Sequence, residues 1–465
     1  MKRIITDNSH FQTRIALCED GEPIEFFYES NREKSLVGNI YAGRVENIIK
    51  GMQSCFVNIG QEKNGYLPIE KGAGLKNGDT VIVQVKKDAF GTKGPALTRK
   101  ISFIGKFAVL IPNDKDIGIS KKITDSNERE RINSIVKDLV PDGCALIVRT
   151  EGEGKSLEEF KDEIESLIEK KHFVEKKAGY RRPPALILSD ENIIDKTLKN
   201  IFTSDIDSVV LNNKDDYDRV AENRLFDSSK LELYTGDIPI FSNYLIESKI
   251  DRLFLNKVWL KSGGFIVIEQ TEACVVIDVN TGKYTGKKNT QDTFLKTNLE
   301  AADEIAKQIR LRNLSGMIII DFIDMKDEKD KEALTKRLEE AVKKDRLKTT
   351  VVGMTELGLM QLTRKKGSLP VLSLISEECV CCRGRGAVPS AEYTAGKILR
   401  EITAVFSSTM FSQVTVKSNK RIISFLRRKE WNYVEDIEKR FKKTVVLEEI
   451  ETGAADYYEL ERKTV

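Results

Sequence analysis

Two short apolar runs, separated by a helix-like stretch, stand out in the pattern of hydrophobic and polar positions along the chain. The first run, residues 274–277, ends at Asp278, and the second, residues 317–320, ends at Asp321. Unbroken β-branched runs of this length predict strands that are buried on both faces of a sheet. Between them, apolar residues at three- and four-residue steps predict one amphipathic helix, with Leu295, Leu299, Ala302, Ile305, Ala306 and Ile309 on its apolar stripe.

A strand, a helix and a strand in this order predict a βαβ unit, whose strands are parallel and end at the same edge. We therefore expect Asp278 and Asp321 side by side at the carboxyl end of the sheet, where open α/β sheets carry their sites. Two close carboxylates repel unless a cation neutralises them, and Mg²⁺ typically takes one or two carboxylates. Asn280 points to the same side as Asp278 and can orient a carboxylate or a metal-bound water. On spacing alone, the alternative is that both aspartates only cap the following helix or turn.

The start of the chain predicts part of a sheet that a later segment completes. The first 30 residues alternate as three strands, which are too few to fold alone. The region after residue 185 supplies the remaining elements. The predicted elements are strands at 4–5, 14–17 and 24–28, a strand at 185–188, a helix at 193–201 and a strand at 209–211.

An insertion that begins near residue 37 predicts a small β-barrel. Five short strands separated by Gly and Asn turns are typical of an OB-type barrel; they are predicted at 40–49, 54–59, 65–69, 80–86 and 96–101. Alternation places Cys55, Val57 and Ile59 in the core, so Phe56 faces outward, and Tyr66 faces outward in the same way. Two exposed aromatic rings on one barrel face predict a platform for stacking nucleic-acid bases, whereas stray surface aromatics are the alternative.

The charged region that follows contains an Arg-Thr pair after an apolar run at 144–148. Arg149 and Thr150 can hold a terminal phosphate through a guanidinium fork and a hydroxyl. Taken alone, this signal is weak, and an ordinary surface salt bridge explains it better. The basic run at 170–182, closed by Pro183 and Pro184, predicts a solvated linker.

A Cys-x-x-Cys with glycines behind it, at residues 379–382, is half of a tetrahedral zinc site. The chain has no second pair of this kind, and its two histidines are His10 and His172. A closed Zn²⁺ site therefore needs two thiolates from a second subunit, shared across a two-fold axis. The glycine register favours Cys379 and Cys382 as ligands, although Cys381 leaves the choice open. A redox pair is the alternative, but we see no thioredoxin-like context around it.

Composition sets limits on where the protein works and what it contacts. The 465 residues include 76 basic and 73 acidic ones, so nucleic acid would be bound by local patches rather than by a global field. No run approaches the roughly 20 apolar residues of a membrane span, and Met1-Lys2-Arg3 leads into polar sequence rather than a signal peptide. Seven cysteines, four of them scattered singly, favour a reducing cytoplasm.

Three motifs make the sequence resemble one family closely. They are Ile-Asp-Val-Asn-Thr-Gly at 277–282, Thr-Asn-Leu-Glu-Ala-Ala at 297–302 and Ile-Asp-Phe-Ile-Asp-Met at 320–325. Together they are similar to the catalytic region of the ribonuclease E/ribonuclease G family, and the likeness extends from the first strand to the end of the chain. The resemblance implies a Mg²⁺-dependent endoribonuclease in which Asp278 and Asp321 hold the ion and Asn280 supports them.

The family also implies a mechanism and a substrate. The chain has only two histidines, and neither is close to the aspartates in sequence, so catalysis by a histidine acid and a histidine base is not expected. Metal-assisted hydrolysis remains, and it would give a 3′-hydroxyl and a 5′-phosphate. The implied substrate is single-stranded RNA with a preferred 5′-monophosphate end, in rRNA processing and mRNA decay. The alternative from another class is a non-catalytic S1-type RNA-binding or assembly factor, which would not need the Asp278, Asn280 and Asp321 trio.

Further site residues are carried over from the family position by position. Phe56 and Tyr66 match the RNA-facing aromatics of an S1 domain, with Lys93 as a phosphate contact. Arg149 and Thr150 match the sensor for the RNA 5′-monophosphate. The zinc link of the family joins protomers through Cys379 and Cys382, which implies a homodimer or homotetramer. The family usually has Pro and a non-Cys residue where this chain has Val380 and Cys381.

The implied architecture is a multidomain α/β protein. An RNase H-like sheet is split by an S1 (OB-type) barrel and a 5′-sensor region, and a DNase I-like α/β catalytic subdomain, a zinc link and a small α/β dimerisation domain follow. The expected boundaries are 1–36 and 185–255 for the two RNase H-like parts, 37–118 for the S1 domain, 119–184 for the sensor, 256–375 for the catalytic subdomain, 376–390 for the zinc link and 391–465 for the last domain.

Overall fold

The structure is a computed structural model, and it describes residues 1–32, 34–69, 74–89, 93–223, 226–282, 290–428 and 432–464. The chain divides into two units, Met1–Ile375 and Ser376–Val465. Within the described ranges, no helix is long and apolar enough to cross a membrane.

The chain forms strands up to residue 119, and helices and strands are interspersed from α1 onward. The strands are β1 (Lys2–Asn8), β2 (Gln12–Glu19), β3 (Glu22–Ser30), β4 (Ile40–Ile49), β5 (Ser54–Asn58), β6 (Gly65–Pro68), β7 (Thr80–Lys87), β8 (Ala96–Thr98), β9 (Phe103–Ile104), β10 (Ala108–Pro112), β11 (Ile117–Ile119), β12 (Cys144–Val148), β13 (Ala185–Leu188), β14 (Ser208–Leu211), β15 (Leu231–Leu233), β16 (Lys257–Trp259), β17 (Phe265–Gln270), β18 (Cys274–Asn280), β19 (Gly316–Asp321), β20 (Thr349–Met354), β21 (Leu359–Arg364), β22 (Gln413–Ser418), β23 (Thr444–Glu449) and β24 (Tyr458–Lys463). The helices are α1 (Ser126–Lys137), α2 (Leu157–Tyr180), α3 (Ile193–Ile201), α4 (Lys214–Glu222), α5 (Ile240–Asn243), α6 (Glu247–Asp251), α7 (Thr290–Leu311), α8 (Glu328–Val342), α9 (Val371–Ile375), α10 (Ala391–Ser408), α11 (Lys420–Leu426) and α12 (Tyr433–Phe441).

The first sheet has the strand order β15-β14-β1-β2-β3. Strand β1 pairs in parallel with β14, so Ile4 lies opposite Val209. This pairing confirms that the amino-terminal strands are completed by a later segment. Strand β13 forms where the sequence predicted it, but it pairs antiparallel with β4 instead of joining this sheet.

The insertion forms a closed five-strand barrel, as predicted. Its strands follow the order β4-β5-β6-β8-β7, and the pairing of β4 with β7 closes the ring. Side chains alternate as expected, because Cys55, Val57 and Leu67 are almost completely buried in the barrel core. Phe56 and Tyr66 lie on the opposite face of β5 and β6 and are half-buried.

The region after the barrel differs from the expected linker. Residues 170–180 of the basic run lie within the single helix α2, which is capped at its start by Ser156 and Glu159 in a capping box. A buried stripe that includes Phe160, Leu167 and Val174 holds α2 against the sheet of order β11-β12-β10-β9. The linker prediction was wrong because the lysines occupy only the solvent side of a helix whose other side is apolar.

The second large sheet has the order β16-β17-β18-β19-β21-β20. Helices α7 and α8 cover one face, and Ile277, Ile305, Ile320 and Leu334 are fully buried between them and the sheet. On the other face Val276 and Met317 are 37% and 55% exposed, so no helix among the described residues covers them. The prediction that both faces of β18 and β19 are buried was therefore wrong.

The carboxyl-terminal unit is a small α/β domain. Its sheet has the order β23-β22-β24, and α10, α11 and α12 contribute to its core. Strand β24 is an edge strand and is mostly exposed, so its alternating charges, Tyr-Glu-Leu-Glu-Arg-Lys, give no clear strand signal in the sequence.

Candidate active site

The two predicted aspartates lie next to each other on the uncovered face of the second large sheet. Strands β18 and β19 are parallel, and their register places Asp278 directly opposite Asp321. Both side chains are exposed. The Asn280 amide nitrogen donates a hydrogen bond to Asp278 Oδ2 at 2.7 Å. The structure thus brings the predicted trio together at one sheet edge.

The alternative that Asp321 serves as a helix cap is excluded by the residues that follow it. Helix α8 begins seven positions later, and its cap is Asp327, whose carboxylate accepts the Lys329 N–H. Asp278 lies within β18 and accepts from Asn280. Neither aspartate forms an ion pair within the described ranges. Their charges are therefore available to a ligand.

The donor set fits a hard divalent cation. Two carboxylates lie in register on one face, and the Asn280 nitrogen is engaged with Asp278, which leaves the amide oxygen as a further acceptor. Oxygen ligands of this kind suit Mg²⁺, which needs few protein ligands because it retains waters. Among the described residues, no group of three or more His, Cys, Asp or Glu side chains is placed to hold a metal.

Helix α7 holds the loop that follows Asp321. The side chain of Asn298 is fully buried, donates to the Ile323 carbonyl at 2.8 Å and accepts the Ile323 N–H at 3.0 Å. This two-point clamp orients the backbone two residues beyond Asp321. In the sequence Asn298 stood out only as part of the Thr-Asn-Leu-Glu-Ala-Ala motif at 297–302, and nothing there predicted its contact with Ile323.

The same helix holds the hairpin between β16 and β17. The Ser262 N–H donates to both carboxylate oxygens of Glu300 at 3.2 Å. A Cβ on Gly264 would lie 2.7 Å from the Asn280 carbonyl oxygen, and one on Gly282 would lie 2.5 Å from the Gly263 carbonyl oxygen. The hairpin can approach the end of β18 this closely only because these positions are glycine.

The barrel brings its predicted nucleic-acid contacts to one face. Phe56 and Tyr66 lie opposite each other on β5 and β6, with ring centroids 6.3 Å apart in an edge-to-face arrangement, and both are half-buried. The Tyr66 N–H donates to the Pro95 carbonyl, so the segment that carries the exposed Lys93 runs beside Tyr66. Residues 91 and 92 before it lie outside the described ranges.

Arg149 and Thr150 lie at the end of β12, where a short 3₁₀ turn begins. The guanidinium donates to the Gly105 carbonyl and to Asn200 Oδ1, both at 2.7 Å, and Nε lies 3.8 Å from Glu151. The Thr150 hydroxyl shares a hydrogen bond with Ser120 at 3.0 Å. Arg149 is thus oriented by neutral acceptors and paired only loosely with a carboxylate.

The cysteine motif forms an exposed turn in the carboxyl-terminal unit. Cys379 is exposed, and hydrogen bonds from the backbone N–H groups of Cys382 and Cys381, together with the Cys382 side chain, hold the pKa of its thiol below the ordinary value. Arg385 secures the turn by donating to the Cys382 carbonyl and to Asp456. This arrangement favours a thiolate, which is the form that binds metal.

Paired carboxylates at a sheet edge and an aromatic barrel face thus lie on one multidomain α/β chain. Residues 102–367 match the Ribonuclease E/G family, and residues 378–463 match the RNase E/G, Thioredoxin-like domain. The protein belongs to the ribonuclease E/G family. The second match corrects the expectation that a thioredoxin-like context is missing around the cysteines.

Relatives of known name cover nearly the whole chain. The chain is 34% identical to Ribonuclease G of Escherichia coli over 92% of both chains, and 34% identical to Ribonuclease G of Haemophilus influenzae over 90% of both. It is also 35% identical to Ribonuclease E of Escherichia coli, over 86% of this chain but only 40% of that longer one. The likeness to the shorter relatives is therefore end to end.

Proposed function

We propose that this chain is a metal-dependent endoribonuclease of RNA processing and decay that cuts single-stranded RNA and prefers a 5′-monophosphate end. The single observation that carries the proposal is the register of Asp278 with Asp321 on the uncovered sheet face. Family membership makes the chain an RNA-cutting enzyme, and the non-catalytic RNA-binding factor is not favoured. A binding factor would have no use for two uncompensated carboxylates.

In this proposal Asp278 and Asp321 hold Mg²⁺, and Asn280 keeps the Asp278 carboxylate turned toward it. The chemistry supplied by the bound ion is positive charge at the scissile phosphate and a more acidic attacking water. The chain itself presents the carboxylates on a rigid sheet, and the Asn298 clamp fixes the loop beyond Asp321. Hydrolysis would leave a 3′-hydroxyl and a 5′-phosphate.

RNA would be held through its bases on the barrel and through its 5′ end at the turn that follows β12. Phe56 and Tyr66 offer ring surface for stacking, which is worth roughly 1–3 kcal/mol per base and needs unpaired bases. Lys93 would contact the backbone. Arg149 and Thr150 would receive a terminal phosphate, whose charge competes with the loosely placed Glu151 for the guanidinium.

Two chains would be joined through zinc. Cys379 and Cys382 supply half of a tetrahedral site, and the lowered pKa of Cys379 supports metal binding. A two-fold axis would complete the site with the same pair from a second copy, which gives a dimer or a tetramer of two dimers. In the same reading, the barrel is an S1 domain, the first sheet RNase H-like, the second large sheet DNase I-like, and the enzyme works in the cytoplasm.

The test is cleavage of one short, unstructured RNA that carries either a 5′-monophosphate or a 5′-hydroxyl, with Mg²⁺ or with EDTA. We expect cleavage that requires Mg²⁺ and falls about 10³-fold in Asp321→Asn, because several kcal/mol of transition-state stabilisation are lost. Arg149→Gln should cut both RNAs equally. Full activity of Asp321→Asn would contradict the assignment of the active site.

A further inference from the structure

A cluster of one cation and two aromatic rings lies at the β16–β17 edge of the uncovered sheet face. Trp259 is 63% exposed, and its ring centroid lies 5.4 Å from that of Phe265 at an interplanar angle of 64°. Lys257 Nζ lies 4.1 Å from the Trp259 centroid and 3.4 Å from the Phe265 centroid. The lysine is therefore in cation–π contact with both rings, and we call these three residues the aromatic edge.

Strand register connects the aromatic edge to the carboxylates. Trp259 lies opposite Phe265 in the β16–β17 pair, and Phe265 lies opposite Asn280 in the β17–β18 pair. Asn280 is two residues from Asp278, so all these side chains are on one face of the sheet. Neighbouring strands are about 5 Å apart, so Phe265 is one strand spacing from Asn280 and Trp259 is two.

Packing of the sheet does not account for the indole. The residues that alternate with the aromatic edge, such as Ile266, point to the opposite face and are buried under the helices. Trp259 adds nothing to that core, and it remains mostly open to solvent within the described part of the chain. A large exposed apolar side chain beside a catalytic site is typical of a surface that a ligand covers.

We propose that Trp259 stacks an unpaired base of the RNA next to the scissile phosphate, while Phe265 and Lys257 hold the indole upright. This inference rests on the proposed function, because it takes Asp278 and Asp321 as the cleavage site. Lys257 contacts both rings, and the part of the indole that it does not contact is the exposed stacking surface. Lys257 also brings a positive charge close to the RNA backbone. Since a paired base cannot leave its stack without cost, this contact selects single-stranded RNA at the cut itself.

The first experiment reads Trp259 directly and needs no cleavage. The chain contains two tryptophans, Trp259 and Trp431, so Trp431→Phe leaves Trp259 as the sole indole. A short RNA is added to this protein in EDTA, and fluorescence is followed. We expect quenching by the intact RNA, and its loss when one particular nucleotide near the cleavage site is made abasic. No quenching by any RNA that binds would overturn the proposal.

The second experiment separates binding from chemistry. With Mg²⁺, Trp259→Ala should raise KM about 10-fold with little change in kcat, while Trp259→Phe should keep most of the affinity. Val352→Ala is the matched control, because Val352 is 62% exposed on the far strand β20 of the same sheet. The abasic RNA should raise KM of the wild type by the same factor and should not raise KM of Trp259→Ala further. If the abasic RNA raises KM of Trp259→Ala as much as it raises KM of the wild type, the proposal is overturned.

The two proposals fail in different ways. If Trp259 is quenched but no RNA is cut with Mg²⁺, the proposed function fails and the RNA-stacking surface stands. If RNA is cut with dependence on Asp321 but Trp259→Ala, Trp259→Phe and wild type share one KM, the stacking proposal fails alone. The fluorescence arm uses the native Trp259, so it is independent of how well any Trp259 variant folds.

Discussion

The second large sheet carries charged groups at both ends of β19, and the two ends are built in opposite ways. At one end Asp321 faces Asp278, and both carboxylates are exposed. At the other end Gly316 pairs with Arg364, whose guanidinium forms a two-point ion pair with Asp345 at 2.6 and 3.2 Å. Both of these side chains are only 3% exposed.

The comparison distinguishes a buried ion pair, which stabilises the fold, from exposed carboxylates, which can bind a ligand. A buried carboxylate that is paired with a guanidinium has no free charge for a ligand. Removal of one member leaves the charge of the other buried and unpaired. Two exposed carboxylates without a cationic partner lower stability slightly and attract a cation. Aspartate at the two ends of this sheet thus has opposite roles, because Asp345 faces a buried guanidinium and Asp321 faces a second carboxylate.

The largest expected effect tests the buried end. Asp345→Asn should lower the free energy of unfolding by about 3–5 kcal/mol, because the Arg364 charge is left buried without its partner. Chemical denaturation measures this, with Asp321→Asn as the control that should leave stability unchanged or slightly higher. If the wild type and Asp345→Asn are equally stable, the Arg364–Asp345 ion pair does not stabilise the fold, and the two ends of β19 do not differ in the way described.

The pH dependence of that difference has a definite sign. Burial by itself would raise the pKa of Asp345, but the hydrogen bonds and charge of Arg364, with help from Thr349, hold it below the ordinary 3.8. The stabilising contribution is therefore fully present above pH 3.8 and is lost as the pH falls through the folded-state pKa. The gap between wild type and Asp345→Asn should shrink only in that acidic range.

A second prediction concerns the clamp beside the exposed end. Asn298→Ala should lower kcat by about 100-fold, because the loop after Asp321 loses both of its side-chain contacts and the carboxylate shifts. Stability should fall by only about 1–3 kcal/mol. Asn127→Ala, at an exposed helical asparagine in α1, is the control. If Asn298→Ala is less stable but its folded fraction keeps the kcat of the wild type, Asn298 has only a structural role.

A third prediction addresses the barrel. Phe56→Ala or Tyr66→Ala should weaken RNA binding about 10-fold, as expected from the loss of one stacked base. Binding is measured in EDTA with a labelled RNA, so that no cleavage interferes. Met52→Ala, an exposed apolar residue of the barrel, should bind like wild type. If all three variants lose affinity equally, the aromatic face is not the binding surface.

The smallest effect is at the cysteine turn. Because backbone N–H groups lower the pKa of Cys379, its alkylation should begin at lower pH than that of a cysteine in a short peptide. Site-resolved mass spectrometry follows the reaction. Zinc should protect Cys379 and Cys382 at one ion per two chains, and Cys381→Ser should leave this ratio unchanged. A Cys379–Cys382 disulfide with no zinc would favour the redox alternative.

Much of this architecture could be read from local pattern. Apolar runs that end in Asp278 and Asp321, with an amphipathic helix between them, predicted a βαβ unit and its register, since parallel strands share an edge. Alternation around Phe56 and Tyr66 predicted which face of the barrel they occupy. In these places the local signal and the tertiary environment agree, and the predictions are confirmed.

Other features depended on what packs where. The sequence alone determined the strands, the amphipathic helix and the residue types available for chemistry, because these follow from periodicity and side-chain chemistry. Only the tertiary structure decided that helices cover one face of the second sheet, that β13 joins the barrel, and that Asn298 reaches Ile323. Burial and long-range hydrogen bonds are properties of pairs of distant segments. No local pattern encodes them, and for that reason the exposed indole of Trp259 became visible only in the folded chain.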